Sequence, residues 1–431
     1  MRERVAITGL AFGGKGVGRI GGKVVFVPFT APGDSAVVDV TSEKKSFSEG
    51  VCVELMKPSE LRTEPVCPVF GVCGGCSFQH IRYPEEVSWK QKILEETLRR
   101  IGGLHEVAFD APVASEKEYF YRSRARFHVD GADWGFFEAL TNRVVDIEEC
   151  PLLDPLINDA FRGIKSFFRE SGTTKTKTIV STLELGVGQG DGRTVALFHV
   201  SKEGKGFPWK VLLDRIPGLK GIEVRPVGPS RPGGMPLFSA GGTSLDYEAG
   251  GFKYRAPIGV FSQVNPSGNE TLVKKLIEYA GPKGTEMAVD LFSGVGNLTL
   301  PLASLAKETV GVESERRAVK AAGANATSNG VLCVEFHKSD VSKWLELSAK
   351  DLETSVPGVV VLDPPREGAK KVSRFLARLK PGKIVYVSCS PPTLARDLSI
   401  LRDGGYRKFR ACLIDLFPRT YHMESIVAME L

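Results

Sequence analysis

Several features are scarce in this sequence of 431 residues, and each scarcity excludes a class of protein. No run of about 18 apolar residues is present, so no segment is expected to span a bilayer. The amino terminus, beginning Met1-Arg2-Glu3-Arg4, lacks the apolar stretch and cleavage site of a secretory signal. Eight cysteines are few for this length, which disfavours a disulfide framework and favours metal binding or catalysis. We therefore expect a cytoplasmic protein without membrane contact.

Excess charge is scarce as well. The chain has 57 Lys and Arg against 51 Asp and Glu, a formal net charge of +6, which permits a polyanionic partner without requiring one. Its 42% hydrophobic and 25% charged residues are typical of soluble globular proteins. The length predicts two or three domains.

The first predicted domain covers residues 1–58. Short β-branched runs between glycines predict a small, OB-like β-barrel. The glycines between Gly13 and Gly18 lie among Lys15 and Arg19, and two interpretations stay open. The segment is either a surface that a phosphate chain approaches closely or simply a tight loop of the barrel.

The second predicted domain, residues 59–255, contains mostly strand-like runs and several cysteines. One helix is predicted over 84–101, with Glu85 and Glu86 in its first turn and basic residues in its last. Apolar residues recur on one face of this helix, so we expect it to pack against the third domain.

The third predicted domain, residues 256–431, alternates continuously apolar β-runs with helical stretches. This pattern predicts an α/β fold of the Rossmann-like kind, a parallel sheet covered by helices on both faces. Five strands are expected, at Met287–Leu291, Thr309–Val312, Val331–Phe336, Gly358–Leu362 and Lys383–Val387.

A candidate cofactor site follows the first of these strands. The turn Phe292-Ser293-Gly294-Val295-Gly296-Asn297 leads into a helix, and ligands of open parallel sheets bind at such turns. The next strand ends at Glu313, where a carboxylate accepts hydrogen bonds from ribose hydroxyls, and Asp340 after the third strand is placed to meet an adenine edge. A turn without a ligand is the simplest alternative.

The kind of cofactor follows from a missing glycine. Dinucleotide enzymes usually have a third glycine in G-x-G-x-x-G, and Thr299 occupies that position here. S-adenosylmethionine has no pyrophosphate to accommodate, so this turn favours S-adenosylmethionine over a dinucleotide.

Candidate catalytic residues follow the fourth and fifth strands, in Asp363-Pro364-Pro365-Arg366 and Ser388-Cys389-Ser390. A thiolate that adds to carbon 6 of a uracil makes carbon 5 able to attack a methyl group, and a base must then remove the carbon 5 proton. Cys389 is a candidate nucleophile and Glu424 a candidate base. Taken alone, Cys389 is better explained as a small buried hydrophobe and Glu424 as a solvated charge, but the motif that flanks Cys389 favours the nucleophile.

Together these motifs resemble the RNA uracil-5-methyltransferases, in the branch with a TRAM domain and an iron–sulfur cluster. The resemblance extends over nearly the whole chain, including Phe261-Ser262-Gln263-Val264-Asn265 and the terminal His422-Met423-Glu424. It implies Cys389 as nucleophile, Glu424 as proton acceptor and S-adenosylmethionine as methyl donor. The cofactor contacts that it implies are Gln263, Phe292, Gly294, Asn297, Glu313, Asp340 and Asp363.

Four cysteines form a candidate metal site. Five residues separate Cys67 from Cys73 and two separate Cys73 from Cys76, while Cys150 follows after a long gap. Four thiolates hold either a [4Fe–4S] cluster or a zinc ion, and spacing alone does not decide between them. The resemblance favours the [4Fe–4S] cluster, with all four cysteines as ligands and a role in folding and RNA binding rather than in redox chemistry.

The sequence thus predicts a monomeric enzyme, an RNA (uracil-5-)-methyltransferase that acts on structured RNA, ribosomal in preference to transfer RNA. Tyr121, Arg122, Arg124, Arg126 and Phe127 mix aromatic and basic side chains as RNA stacking and phosphate contact require, although each is also explicable as an ordinary strand residue.

Three other functions compete with this one. They are methylation of an exocyclic amine, disfavoured because Arg366 follows Asp-Pro-Pro; a radical enzyme, disfavoured by the five-residue cysteine gap; and a non-catalytic iron–sulfur RNA-binding protein.

Overall fold

The computed structural model of this chain describes residues 2–170, 179–190, 192–201, 204, 206–228, 235–281, 284 and 286–431. Strands in these residues form four sheets, of six, seven, two and eight strands. The six-stranded sheet contains only amino-terminal strands, and the eight-stranded sheet contains mostly carboxyl-terminal ones.

The amino-terminal sheet has the strand order β1-β5-β6-β4-β3-β2. Its strands are β1 (Arg2–Ala6), β2 (Gly9–Leu10), β3 (Lys15–Ile20), β4 (Lys23–Pro28), β5 (Ser35–Glu43) and β6 (Phe47–Lys57). Alternate side chains, among them Val5, Val25 and Val38, fill one core. A Cβ on Gly18 would lie 2.3 Å from Cγ1 of Val5, so β3 packs closely against β1 and the sheet curls round this core.

This arrangement corrects one sequence-based expectation. The glycine segment is not a continuous loop, since Gly13 and Gly14 form the turn and Gly16 and Gly18 belong to β3. The sequence could not distinguish the two cases, because a glycine at a crowded strand position and a glycine in a turn look alike in a sequence.

The seven-stranded sheet has the order β10-β9-β8-β11-β12-β13-β14. Its strands are β8 (Arg124–Asp130), β9 (Asp133–Phe137), β10 (Val144–Asp146), β11 (Val180–Val187), β12 (Thr194–Val200), β13 (Leu219–Pro226) and β14 (Phe238–Gly241). Helices α2 (Pro155–Glu170) and α3 (Trp209–Arg215) pack on it, and the ring of Phe161 stacks on Phe127 at 4.1 Å. The strands β15 (Ser244–Ala249) and β16 (Phe252–Pro257) form a separate hairpin.

The eight-stranded sheet has the order β19-β18-β17-β20-β21-β23-β22-β7. Its strands are β7 (Val107–Phe109), β17 (Met287–Leu291), β18 (Glu308–Glu313), β19 (Val334–Lys338), β20 (Val359–Leu362), β21 (Lys383–Ser388), β22 (Lys408–Ile414) and β23 (Glu424–Glu430). Strands β17 to β21 are parallel, and β23 pairs antiparallel with both β21 and β22. The predicted Rossmann-like parallel sheet is therefore present.

Helices cover this sheet. They are α4 (Pro266–Ala280), α5 (Thr299–Ala303), α6 (Arg316–Ser328), α7 (Val341–Leu347), α8 (Ala349–Thr354), α9 (Lys370–Leu379) and α10 (Pro391–Asp403). Because the strands are apolar on both faces, helices on each side bury them, as parallel sheets require.

Helix α1 (Tyr83–Arg100) connects the cysteine-containing region to the large sheet. Leu94 and Leu98 lie in one core cluster with Leu394 and Leu398 of α10. The Nζ of Lys90 lies 2.8 Å from carboxylate oxygens of both Glu86 and Asp415, and all three side chains are fully buried. Breaking a buried pair of this kind costs about 3–5 kcal/mol, so this charge network fixes α1 firmly against the segment that precedes β23.

Candidate active site

The glycine turn lies at the carboxyl edge of the parallel sheet. The backbone amides of Phe292 and Ser293 both donate to the carbonyl of Val312, at 2.9 and 3.0 Å, and draw the turn towards β18. Gly296 has φ +88°, a left-handed conformation that glycine adopts without strain. Phe292 has φ 69°, unusual for a residue with a Cβ, and such strain persists where the surrounding structure enforces it.

Two carboxylates flank the turn on the side of β18 and β19. The Oε2 of Glu313 accepts from the Gly294 amide at 3.2 Å, and its Oε1 accepts from the Glu315 amide at 2.7 Å. Asp340 follows β19 and caps α7, accepting from the Lys343 amide at 3.0 Å. Both carboxylates lie at the same sheet edge as the turn, because β18 is the parallel neighbour of β17 and β19 is the parallel neighbour of β18.

A single cavity lies beside the turn. Five of the predicted cofactor contacts line it, namely Gln263, Phe292, Gly294, Asn297 and Asp363. Glu313 is joined to this group through Gly294, whereas Asp340 lies one strand further away and does not line the cavity.

The side chain of Asn297 is already held by protein partners. It exchanges two amide hydrogen bonds with Asn269 of α4, at 2.8 and 2.9 Å, and its oxygen also accepts from the Tyr247 hydroxyl at 3.2 Å. These bonds fix the amide beside the cavity and tie the turn to β15 and α4. Asn269 and Tyr247 were not foreseen, because neither belongs to a recognisable motif.

Cys389, the residue directly after β21, lies beside Glu424, the first residue of β23. In the antiparallel pairing of β21 with β23, Ser388 opposes Ser425, so the next position on each strand brings Cys389 beside Glu424. Asp363 follows β20, the other neighbour of β21. The nucleophile and base candidates and the Asp363 carboxylate therefore meet at one point of the sheet edge, next to the cavity.

Burial and mutual repulsion perturb all three groups. Burial, with the nearby Glu424 and Asp363 carboxylates, raises the pKa of the Cys389 thiol to about 12, and Arg366 opposes this shift. Burial raises the pKa of Asp363 to about 7. Burial and Asp363 together raise the pKa of Glu424 well above its usual range. Clustered titratable groups with such shifts are typical of catalytic sites.

Glu424 also has unused hydrogen-bonding capacity. The residue is 3% exposed, and its buried Oε1 has no hydrogen-bond partner among the described residues. Because an unpaired buried carboxylate oxygen is unfavourable, the native structure tolerates it chiefly at functional positions. The unpaired oxygen leaves this carboxyl group free to bond to a molecule in the site.

Asp290 is a further buried carboxylate that sequence reasoning left without a role. It lines the cavity, its Oδ2 accepts from the Thr299 hydroxyl at 2.5 Å, and its Oδ1 has no partner among the described residues. Burial raises the pKa of Asp290 to about 7. Its position within an apolar strand could have indicated a functional carboxylate, because charged residues are rarely buried unless they are paired.

The segment from Leu416 to Met423 leads directly into Glu424, and contacts from several directions hold it in place. The carbonyl of Phe417 accepts from Lys90 Nζ at 3.1 Å, and that of Arg419 accepts from the amides of Ser77 and Phe78 at 3.0 and 3.1 Å. The side chain of His422 approaches Arg366, with 3.4 Å between Nε2 and Nη2. Burial, aided by Arg366, lowers the pKa of His422 to about 3, so this imidazole is neutral.

The four candidate metal ligands surround a second cavity. Cys67, Cys73, Cys76 and Cys150 line it together with apolar residues such as Val69 and Phe136. Burial raises the pKa of the Cys150 thiol to about 11, and both burial and the other three thiols raise that of Cys76. The four sulfurs thus share one pocket, although no three His, Cys, Asp or Glu of the described residues are grouped closely enough to hold a single metal ion.

The expected RNA-contacting residues from Tyr121 to Phe127 are placed differently from the prediction. Tyr121 and Phe127 are 4% and 0% exposed, so neither can stack on a base. Arg124 and Arg126 form ion pairs with Glu184, and Arg122 lines the cysteine cavity. The alternation of basic and aromatic residues reflects the two faces of β8, one of which is core.

Fold and site therefore define an α/β enzyme with a nucleotide-type cofactor turn, and with a cysteine and two carboxylates at the same sheet edge. A family model described as tRNA (Uracil-5-)-methyltransferase matches residues 242–431, and a TRAM domain model matches residues 2–53. Among the described residues, no helix is long and apolar enough to cross a membrane.

Individual relatives are similar over almost their whole length. An uncharacterized RNA methyltransferase of Aquifex aeolicus is 33% identical over 433 residues, covering 99% of this chain and 98% of that protein. The 23S rRNA (uracil(1939)-C(5))-methyltransferase of Methylococcus capsulatus is 33% identical over 436 residues, covering 98% of this chain and 96% of that protein. This chain belongs to the RNA uracil-5-methyltransferase family.

A solved structure agrees with this assignment. The tRNA (uracil-54, C5)-methyltransferase of Pyrococcus abyssi, solved in complex with S-adenosyl-L-homocysteine, is 27% identical and superimposes with a TM-score of 0.76. The match covers 99% of this chain and 100% of that chain.

Proposed function

We propose that this protein methylates carbon 5 of a uridine in structured RNA, with Cys389 as nucleophile and Glu424 as base. The observation that carries the proposal is the register of β21 and β23, which brings Cys389 and Glu424 together beside the cavity. S-adenosylmethionine, when bound, supplies an electrophilic methyl group. Gln263, Phe292, Gly294, Asn297, Glu313 and Asp363 are the residues best placed to hold it, with Asp340 at the periphery.

The reaction begins with the thiol of Cys389. Asp363, whose pKa is raised to about 7, accepts the proton of the thiol as the sulfur bonds to carbon 6 of the uracil, and the electron pair of the 5,6 double bond moves into the ring as an enolate. Carbon 5 then bonds to the transferred methyl group. The thiol, with its pKa near 12 in the free protein, remains mostly protonated until the uracil ring enters the pocket.

Glu424 completes the reaction. Carbon 5 now carries both its original proton and the methyl group, and the unpartnered Oε1 of Glu424 accepts that proton. The electron pair of the C–H bond restores the 5,6 double bond, and the sulfur of Cys389 leaves. A raised pKa strengthens Glu424 as a base, and Asp363 contributes to that rise.

The relatives favour ribosomal RNA as the substrate. The Methylococcus protein, which is named for a 23S rRNA uracil, is 33% identical, whereas the Pyrococcus tRNA enzyme is 27% identical. Transfer RNA is the second candidate, because the Pyrococcus structure superimposes over the full chain. Mapping 5-methyluridine in both RNAs from cells lacking the gene distinguishes the two.

We propose a [4Fe–4S] cluster rather than a zinc ion for the cysteine cavity, on the strength of the family resemblance. Four thiols line one pocket with apolar walls, and in the described residues they are not grouped as closely as a single ion requires. Cys67, Cys73, Cys76 and Cys150 would hold the cluster, which would stabilise the fold at this place. The Ser77 and Phe78 amides bond to the segment that carries Glu424, so such a cluster would also support the active site.

The proposed division of the chain into an RNA-binding domain (1–58), a cluster domain (59–255) and a methyltransferase domain (256–431) remains compatible with the sheets. The exception is β7, which pairs with β22 of the large sheet although it precedes residue 256. Helix α1 also packs with the large sheet, and the division already expects this of it.

The test is covalent trapping on RNA that contains 5-fluorouridine. Fluorine at carbon 5 cannot leave as a proton, so we expect an enzyme–RNA adduct that survives denaturation. Cys389→Ala should form none, whereas Cys412→Ala, which removes a buried thiol from β22, should trap RNA like the parent. An adduct that persists in Cys389→Ala would refute the assignment.

A further inference from the structure

Positive charge is concentrated in a short stretch beside the active site. Between Arg366 and Lys380 there are six basic residues and one acidic residue, which amounts to +5 of the net +6 of the whole chain. All six basic side chains are exposed. Composition alone gave no sign of this concentration, because the other basic residues are nearly balanced by acids.

Most of this charge lies on one face of α9. At about 100° per residue, Lys370, Lys371, Arg374 and Arg378 fall within an arc of about 100°. The buried residues of the same helix, Val372, Ser373 and Leu376, lie on the opposite side. We call the four exposed cations the basic face of α9.

The basic face is unbalanced in a way that α1, another long helix with exposed cations, is not. Helix α1 has Glu85 and Glu86 in its first turn and ion pairs such as Glu96–Arg100. Helix α9 has no acid in its first turn, and the basic face forms no ion pair with any described residue. Cations near a helix amino terminus and like charges four residues apart both destabilise a helix. Folding therefore explains Arg378, which lies in the last turn and contacts the Phe375 ring, but not Lys370, Lys371 or Arg374.

The basic face is continuous with the active site. Helix α9 begins four residues after Arg366, whose guanidinium contacts His422 and acts electrostatically on Cys389. The Arg366 carbonyl accepts from Thr393 at 3.0 Å, and the Ala369 amide donates to Asp397 at 2.6 Å, which fixes the start of α9 against α10. A polyanion that enters the active site therefore meets a rigid row of cations.

We infer that the basic face of α9 docks the sugar–phosphate backbone of the substrate RNA next to the target uridine. The inference rests on the proposed function, since it identifies where the same substrate is held. Arginine and lysine contacts to phosphates release counterions and position RNA without reading its sequence. The contact should therefore be independent of sequence and sensitive to salt.

The experiment compares two triple variants of the full-length protein. Lys371→Gln, Arg374→Gln and Arg378→Gln remove three charges from the basic face. Lys307→Gln, Lys350→Gln and Lys408→Gln remove three exposed charges elsewhere, and two of them lie at the opposite edge of the sheet. Binding of a short fluorescein-labelled oligouridylate is measured by anisotropy over a range of salt concentrations.

We expect the α9 variant to bind more weakly at low salt, with a slope of log K against log salt reduced by about 2, since each single-strand phosphate contact contributes about 0.7. The control variant should keep the parent slope. The unfolding temperature of the α9 variant should not fall, because like-charge repulsion has been removed.

Equal slopes in parent and α9 variant, or the same reduction in the control, would overturn the inference. The two proposals fail separately. If the slope is unchanged while the parent produces 5-methyluridine, only the docking surface is wrong; if the slope falls as expected and no 5-methyluridine forms, only the reaction is wrong.

Discussion

The active-site edge and the cysteine cavity both contain half-buried thiols, but their surroundings differ. Cys389 follows a strand of the large sheet and lies beside Glu424 and Asp363, whereas the four cavity thiols come from loops with apolar walls. At the active-site edge, burial raises the pKa of the Cys389 thiol, which lies among carboxylates that can accept a proton. In the cysteine cavity, the main neighbours of each thiol are other thiols and apolar side chains.

The difference shows what separates catalysis from ligation. A nucleophile must be formed and released within one turnover, so it needs proton acceptors close by. A ligand only needs partners of the same kind, arranged around a common centre. The two regions are nevertheless joined, because the amides next to Cys76 bond to the Arg419 carbonyl, five residues before Glu424.

Removal of the base should have the largest effect. We expect Glu424→Gln to lower turnover by about 10²–10⁴-fold, the usual contribution of a general base. The enzyme should still attack and methylate the uracil, because Cys389 is intact, and then stall before elimination. Denaturing gels with unmodified RNA should show an adduct that accumulates in this variant and not in the parent.

The control is Glu430→Gln, at the far end of β23 from Glu424, which should leave turnover at the parent level. A Glu424→Gln enzyme that turns over normally, or that is inactive without any adduct, would remove Glu424 from the role of base.

Removal of a cavity thiol should have a smaller and different effect. We expect Cys76→Ser to lose bound iron and sulfide and to lower the unfolding temperature by roughly 3 °C, as for about 3 kcal/mol in a protein of 431 residues. Trapping on 5-fluorouridine RNA should persist in the folded fraction. The measurements are metal analysis and thermal unfolding, with Cys52→Ser as the control thiol outside the cavity.

Unchanged iron content and stability in Cys76→Ser would show that the cavity does not hold the cluster. Complete loss of trapping in folded, iron-free protein would instead show that the cavity takes part in the chemistry, and the comparison between the two regions would fail.

Local motifs made much of the active-site edge predictable from the sequence. Continuous apolar runs predict parallel strands, and residues at the carboxyl ends of such strands converge, which is why Asp363 and Cys389 could be placed together in advance. Glu424 was harder to place, because its strand runs antiparallel and only the register of β23 against β21 brings it to Cys389.

Features that depend on distant contacts could not be predicted. The bonds of Asn297 to Asn269 and Tyr247 join three elements that no local pattern relates. The buried group of Glu86, Lys90 and Asp415 looked like ordinary surface charge in the sequence, because i,i+4 pairs are common on exposed helices. The basic and aromatic residues around Phe127 were wrongly predicted to contact RNA. Their alternation predicts that a strand has two different faces, but it does not say which face is buried.

The reactivity of the free thiols offers the finest test of the comparison. Only the thiolate reacts with iodoacetamide, so a thiol with a pKa near 12 should be alkylated slowly at neutral pH. The rate of alkylation should rise about tenfold for each unit of pH until the pH reaches that pKa. Negative charge on Glu424 is one cause of the raised pKa of Cys389. Glu424→Gln should therefore lower that pKa and speed alkylation of Cys389 several-fold at a fixed pH near 8.

The alkylated peptides can be followed by mass spectrometry, with Cys412 as the internal reference, because burial raises the pKa of that thiol to about 11 without help from Glu424. An unchanged or slower reaction of Cys389 in Glu424→Gln would mean that the carboxylate does not act on the thiol electrostatically. The two regions would then differ only in shape, and the contrast drawn between a nucleophile among carboxylates and a set of ligands would lose its physical basis.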